Sequence, residues 1–341
     1  MNDAENVKIG IVGAGSWGTA IAGMLGEKGY KLDLWAWEPE VCASITEKRE
    51  NDLFLPGVRL SENIRVSNDL DSVTGGKDLV VFVVPSHVMR EVAARAAQSL
   101  AADTVLVSAA KGIENKTHLT MTGVLAEVLP EHKDRVAVVS GPSFAAEVAR
   151  GLPTVVAAAA PDPEVAAFLQ QVFSTPFFRV YTNTDVMGVQ LGGAVKNVIA
   201  IASGIVDGLE LGLNSRAALI TRGLTEIRRL GLKLGANAHT FAGLSGVGDL
   251  VLTCTGALSR NHTVGKMIGQ GKSLDEILSS MSMVAEGVRT ARSVYNLSNK
   301  INVEMPIAHS VYQVLYESLK PGEAVYQLMT RTLKSELEDV E

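Results

Sequence analysis

Cysteine is nearly absent: the two that occur, Cys42 and Cys254, belong to no CxxC pair and no Cys/His cluster. That excludes a disulfide framework or a structural zinc as the basis of the fold. His118, His132, His239, His262 and His309 are scattered without ligand spacing, so no metal is expected. No uninterrupted apolar run reaches the roughly 18 residues of a membrane span, and membrane insertion is not expected. Blocks of like charge are also missing. Lys+Arg 31 against Asp+Glu 37 leaves a net charge of -6 spread along the chain, which argues against nucleic acid as a partner and for small molecules or other subunits. The short acidic start MNDAENVK leaves no room for a secretory leader before the first strand, so the cytoplasm is the expected compartment.

What is present is enough apolar residue for two cores: 47% of 341 residues. The first half alternates helical patterns with β-branched runs at 7–12, 31–37, 78–84, 104–109 and 135–140, and further runs follow at 154–159 and 177–183. Continuous apolar strands between helices predict an α/β, Rossmann-type doubly wound sheet. From about Val189 the period becomes 3.6 throughout, as in 215–235, which ends in Gly235. The expectation is a dinucleotide-binding domain over 1–188 followed by an all-helical domain over 189–341.

GAGSWG, Gly13 to Gly18, stands directly after the first strand run and opens a helical segment. In that setting Gly13 permits a tight turn, Gly15 lets backbone N–H groups approach a pyrophosphate, and Gly18 allows close helix packing. Ser16 and Trp17, inside the loop, are counted with the glycines as cofactor contacts. Glu38 follows Gly18 by 20 residues, at the end of the second strand run, where an acid accepts hydrogen bonds from the adenosine ribose of NAD. Trp37 is placed to stack on adenine. No arginine or lysine stands at this strand end to neutralise the 2′-phosphate of NADP, so the expected cofactor leans to NAD. The plainer alternatives are a ligand-free glycine turn, a Trp37 that only covers the core and a solvated Glu38.

LGGAVKNVIAIASGIV, residues 191–206, reads as a helix buried all round, yet it carries Lys196 beside Asn197. An unpaired buried charge costs several kcal/mol, so this ammonium must be paired, reach water or serve chemistry. Small residues share its face: Gly192, Gly193, Ala200 and Ser203. They either leave room for a ligand or permit close helix packing.

The motifs GAGSWGTA, VVFVVPSH, SAAKGIE, SGPSFAAEVA, GGAVKNVIAIASGI, GVGDLVLTCTG and SRN occur in an order that closely resembles the NAD(P)-dependent glycerol-3-phosphate dehydrogenases, from about Val7 to beyond Met329. The resemblance implies reversible reduction of dihydroxyacetone phosphate to sn-glycerol 3-phosphate with NAD or NADP, in support of phospholipid synthesis. It implies Lys196 as proton carrier, Lys111 as a second lysine at the carbonyl and nicotinamide, and Asp249 as their partner. It further implies Gly141 and Ser143 as substrate contacts, Ala145 on the cofactor side, and Ser259, Arg260 and Asn261 as the phosphate-binding run. Arg260 is shared with the dinucleotide, and Val284 and Glu286 are late cofactor contacts. Many bacterial members carry His or Arg where this chain has Trp37, which puts NADP preference in doubt; Ser143 replaces a common Thr and keeps the hydroxyl. A homodimer is expected. The competing readings are a β-hydroxyacid dehydrogenase of similar architecture and a non-catalytic dinucleotide sensor.

The chemistry implied by the resemblance suits these residue types. Hydride addition to a ketone builds negative charge on oxygen, so the site needs a cation aimed at that atom and a proton to deliver. A lysine can do both once burial and a second cation bring its pKa down from about 10.4. Arg260 offers a planar fork to a phosphate, and the helical pattern opened by Ser259 adds N–H groups.

Overall fold

The computed structural model describes residues 7–281 and 285–336. The chain divides into two compact units: one holds residues up to Ala110 together with Met121–Val186, the other Lys111–Thr120 together with Met187 onward. The continuous boundary expected at 188/189 is therefore amended. The main division falls at 186/187, and the ten residues Lys111–Thr120, shortly after the strand Val105–Ser108, belong with the helical unit. The physical reason is local: Ser293 Oγ donates to the Ile113 carbonyl at 2.8 Å, and Ile113, 2% exposed, packs in the helical unit's own core.

In the first unit the strands are β1 (Ile9–Val12), β2 (Leu32–Trp35), β3 (Glu50–Asn51), β4 (Leu55–Arg59), β5 (Ile64–Ser67), β6 (Leu79–Phe82), β7 (Val105–Ser108), β8 (Val136–Ser140), β9 (Thr154–Ala159) and β10 (Phe178–Asn183). Its helices are α1 (Ser16–Glu27), α2 (Pro39–Lys48), α3 (Leu70–Thr74), α4 (Met89–Ala96), α5 (Met121–Val128), α6 (Ala145–Val148) and α7 (Pro163–Phe173). Eight strands form one sheet in the order β10-β9-β8-β7-β6-β1-β2-β5, and β3 and β4 form a separate hairpin. All neighbours in the large sheet are parallel except β8 and β9. Strands β1, β2, β6 and β7 are buried at every residue, as expected where helices cover both faces of a parallel sheet. The expected doubly wound α/β fold is present. Edge strand β5 was not anticipated, because IRVS alternates apolar with polar residues and only Ile64 is fully buried.

The second unit contains α8 (Val186–Gly208), α9 (Gly212–Lys233), α10 (Asp249–Thr255), α11 (Arg260–Gly269), α12 (Leu274–Ser280), α13 (Glu286–Lys300), α14 (Pro306–Tyr316) and α15 (Pro321–Met329). Among the described residues it has no strand, only an isolated bridge between Ile113 and Thr120. Helix α8 corrects one expectation. At 23 residues it is long and apolar enough to cross a membrane, because its Gly and single Lys do not lower its hydropathy sufficiently. Its residues 188–206 are all buried by protein, which identifies it as the central core helix of this unit.

Helix α11 and the turn before α10 meet α8 backbone to backbone. A Cβ at Gly204 would stand 2.0 Å from the His262 carbonyl oxygen, and one at Gly265 would stand 1.9 Å from that of Ile201. Glycine on both sides of this crossing brings α11 against α8 more closely than any side chain permits. Gly192 does the same for the turn before α10, since its Cβ would lie 2.2 Å from the Ser245 carbonyl oxygen. Of the two readings of the small residues around Lys196, close packing accounts for Gly192. Ser203 is likewise engaged, donating to the Cys254 carbonyl at 2.9 Å.

Candidate active site

Lys196 occupies the middle of α8 and is 5% exposed. Its ammonium is paired: it donates to Asp249 Oδ1 and, at 2.6 Å, to Thr253 Oγ1. Lys111 reaches the other carboxylate oxygen, with Nζ 2.7 Å from Asp249 Oδ2. One buried carboxylate thus bridges two ammonium groups, all three within the helical unit. A π-helical turn, Leu244–Gly248, immediately precedes Asp249 and sets the start of α10, a distortion of the kind that aims side chains at functional sites. Thr253 is one turn further on and donates to the Asp249 carbonyl at 2.7 Å. Its hydroxyl is left to accept from Lys196, which fixes the ammonium from a second side.

Electrostatics follow from this geometry. Burial brings the Lys196 pKa down from its ordinary value to about 7; Asp249 opposes the fall and Lys111 adds to it. An ammonium with that pKa exchanges its proton readily near neutrality. Cys254, beside Thr253, is the opposite case: burial pushes its thiol up to about 12, so it is an inert core residue.

The Ser259–Asn261 run opens α11. Ser259 is buried and caps the helix by accepting from His262 N at 3.2 Å. Arg260, the first helical residue, is exposed. Asn261 is turned inward: its amide donates to Asn197 Oδ1 at 3.0 Å and its carbonyl oxygen accepts from Gly287 N at 2.9 Å. Asn197, whose role the sequence left open, is thereby the link between α8 and the Ser259–Asn261 run. Gly287 has to be glycine, since a Cβ would stand 2.6 Å from the Asn197 carbonyl oxygen. His262 Nε2 lies 2.8 Å from Asp207, which also receives Arg216 at 2.9 Å, so the first turn of α11 is tied to the end of α8. Glu286 begins α13. Val284 lies outside the described residues.

The glycine loop is in the first unit. Gly13 adopts φ +118, which favours glycine, and a Cβ at Gly18 would stand 1.8 Å from the Gly13 carbonyl oxygen. Gly15 has open space where its Cβ would be, and as N-cap of α1 it leaves the helix without a side-chain cap. Uncapped N–H groups facing open space, with no acid in the first turn, fit a dinucleotide pyrophosphate. Ser16 Oγ donates to the Phe54 carbonyl at 2.7 Å. Trp17 packs against Phe178, with ring centres 6.5 Å apart. Sequence reasoning overlooked Asn51, fully buried, whose amide donates to the Ala14 carbonyl and to Thr19 Oγ1, both at 2.8 Å, and so braces the loop from below.

Trp37 is 63% exposed and meets Trp35 edge-on at 5.9 Å. Glu38, half-buried, begins α2 as its N-cap without capping it by side chain. Arg95, from α4, lies over both indoles and was also overlooked, because nothing local connects it to them. Gly141 sits at φ +154 with its Cβ position 2.9 Å from Val156 Cα, Ser143 Oγ donates to the Gly141 carbonyl at 2.9 Å, and Ala145 starts α6.

Comparison with known proteins is consistent across the chain. Residues 8–166 match the model of the NAD-dependent glycerol-3-phosphate dehydrogenase N-terminus and residues 185–326 that of its C-terminus. Glycerol-3-phosphate dehydrogenase [NAD(P)+] of Syntrophobacter fumaroxidans is 56% identical over 97% of each chain. The protein of the same name from Geobacter sulfurreducens is 56% identical over 96% of this chain and 98% of its own. Among solved structures, glycerol-3-phosphate dehydrogenase from Coxiella burnetii superposes with a TM-score of 0.92 at 40% identity, covering 95% of this chain and 99% of that one. A ketopantoate reductase from Ralstonia eutropha, at 16% identity and a TM-score of 0.53, shares the fold alone.

Proposed function

This chain belongs to the NAD-dependent glycerol-3-phosphate dehydrogenase family, and on that premise we propose how its residues serve the reversible reduction of dihydroxyacetone phosphate to sn-glycerol 3-phosphate. The observation that carries the reading is the Lys196–Asp249–Lys111 bridge, with the Lys196 pKa near 7. The bound nicotinamide cofactor supplies or receives the hydride. Lys196 gives its proton to the carbonyl oxygen as negative charge develops there, and takes it back in the oxidative direction. Lys111 adds positive charge at the same oxygen. Asp249 keeps both ammonium groups close and limits their mutual repulsion, and Thr253 orients the proton that leaves. Arg260, at the start of α11, binds the phosphate, and Asn261, engaged by Asn197 and Gly287, holds the turn in place. Gly141 and Ser143 serve the substrate in this reading, and Ala145 and Glu286 the cofactor.

The glycine loop holds the pyrophosphate and Glu38 the adenosine ribose, which favours NAD while leaving NADP usable. A homodimer in the cytoplasm belongs to the same reading. A non-catalytic sensor has no need of a buried lysine pair on one carboxylate. The test is NADH and NADPH absorbance with dihydroxyacetone phosphate, using the unsubstituted protein and Lys196→Ala. Turnover by the first, and a loss of about 10²- to 10⁴-fold in kcat by the second, is expected. Near-normal turnover of Lys196→Ala would remove the proton-carrier assignment.

A further inference from the structure

Arg95 is 58 residues beyond Trp37 in the chain, yet its guanidinium carbon lies 5.5 Å from the Trp37 ring centre and 5.9 Å from that of Trp35. Trp35 ends β2, in register with Val12 of β1, the residue before the glycine loop. The arginine's charge is therefore held over the strand end that carries Glu38. Arg95 is exposed and forms no ion pair among the described residues.

An exposed helical arginine ordinarily extends into water. Here two indole rings hold it against the protein, a cation–π interaction worth about 0.5 to 1 kcal/mol at exposed sites. That interaction uses the charge and none of the five N–H donors, which remain available to phosphate oxygens. The strand end thus carries two opposed groups. Glu38 accepts hydrogen bonds from ribose hydroxyls and repels a phosphate, whereas Arg95 attracts a group that carries roughly two negative charges at neutral pH.

We propose that Arg95 is the cofactor-selecting residue of this chain, its guanidinium receiving the 2′-phosphate of NADP while Glu38 serves the free ribose of NAD. This rests on the dinucleotide reading of the glycine loop. It supplies from α4 the cation that the strand end itself lacks.

Calorimetric titration of the intact protein with adenosine 2′,5′-bisphosphate, AMP, NADPH and NADH tests it. Arg95→Ala should weaken adenosine 2′,5′-bisphosphate and NADPH by roughly tenfold or more and change AMP and NADH by less than about twofold. Arg95→Lys should restore part of the loss, and Arg95→Glu should deepen it. Equal weakening of all four ligands would overturn the proposal, since Arg95 would then only brace the tryptophans. So would unchanged binding of the bisphosphate, or its failure to bind the unsubstituted protein while AMP binds. Failure of NADH and AMP themselves to bind would overturn the dinucleotide reading, and this proposal with it.

Discussion

Thr253 accepts a hydrogen bond from Lys196 at 2.6 Å while donating its own proton to the Asp249 carbonyl at 2.7 Å. A hydroxyl bound in that sense has a lone pair fixed toward the ammonium and no freedom to turn its hydrogen there. Thr253 is therefore a positioning residue that favours the charged form of Lys196. Replacing it by Val should lower kcat by about ten- to a hundredfold with a smaller change in KM. It should also move the Lys196 titration to lower pH, because an acceptor for the ammonium is lost. Thr253→Ser should restore both. A Val variant with reduced kcat but an unshifted pH profile would mean that Thr253 only fills space.

The pH dependence of the two reaction directions has opposite sign. Ketone reduction needs protonated Lys196, so its kcat should fall as pH rises through about 7; oxidation needs the neutral amine and should rise through the same region. Lys111 contributes to lowering the Lys196 pKa, so Lys111→Met should move both profiles upward in whatever activity remains. Pre-steady-state rates in each direction over pH 5 to 9 give these limbs directly. Parallel profiles for the two directions would remove Lys196 from the proton transfer.

These groups were legible in the sequence to different degrees. Lys196 stood out physically, as the one charge in residues 191–206, a stretch read as a helix buried all round. Lys111 and Asp249 look locally like a loop lysine and a turn acid among glycines, and only the order of several motifs distinguished them. Thr253 and Asn51 gave no signal at all, since a Thr in LTCTG and an Asn in a short hairpin strand are ordinary residues until the hydrogen-bond partners are known. Arg95 lies in MREVAARA, where it reads as one more charge on a solvated helix face. Its relation to Trp37 arises from the sheet order, which places β6 next to β1 and only one strand away from β2. Composition marks where helices replace strands, but gives no sign that residues 111–120, between β7 and α5, group with the helical unit.

Gly192 couples the packing of α8 to the turn that carries Asp249. A methyl group there would lie 2.2 Å from the Ser245 carbonyl oxygen and 2.9 Å from its carbon, both backbone atoms that cannot step aside. Gly192→Ala should force the π-helical turn and Asp249 away from α8, costing about 1 to 3 kcal/mol of stability. Activity should fall further than that loss of folded protein explains. Gly322→Ala is the control, since the α15 glycine has open space at its Cβ position and should gain up to about 1 kcal/mol. Denaturant midpoints and kcat measured together check both. A Gly192→Ala protein with full activity per folded molecule would show that Asp249 does not depend on this contact.

Glu226 is 3% exposed and caps α14 from α9, its carboxylate accepting from Ile307 N at 2.6 Å and Ala308 N at 3.1 Å. Burial raises its pKa from 4.5 to about 7, and the two backbone N–H groups only partly counter this. An acid whose pKa is higher in the folded state supports folding fully below its unfolded pKa. That support is lost as pH rises through the folded value, here between about 4.5 and 7. Glu226→Gln keeps an oxygen for the helix N-terminus but cannot ionise. Its stability relative to the unsubstituted protein should therefore improve by up to roughly 3 kcal/mol between pH 4.5 and pH 8. Urea unfolding of both proteins at the two pH values measures this, and a pH-independent difference would show that Glu226 titrates no differently when folded.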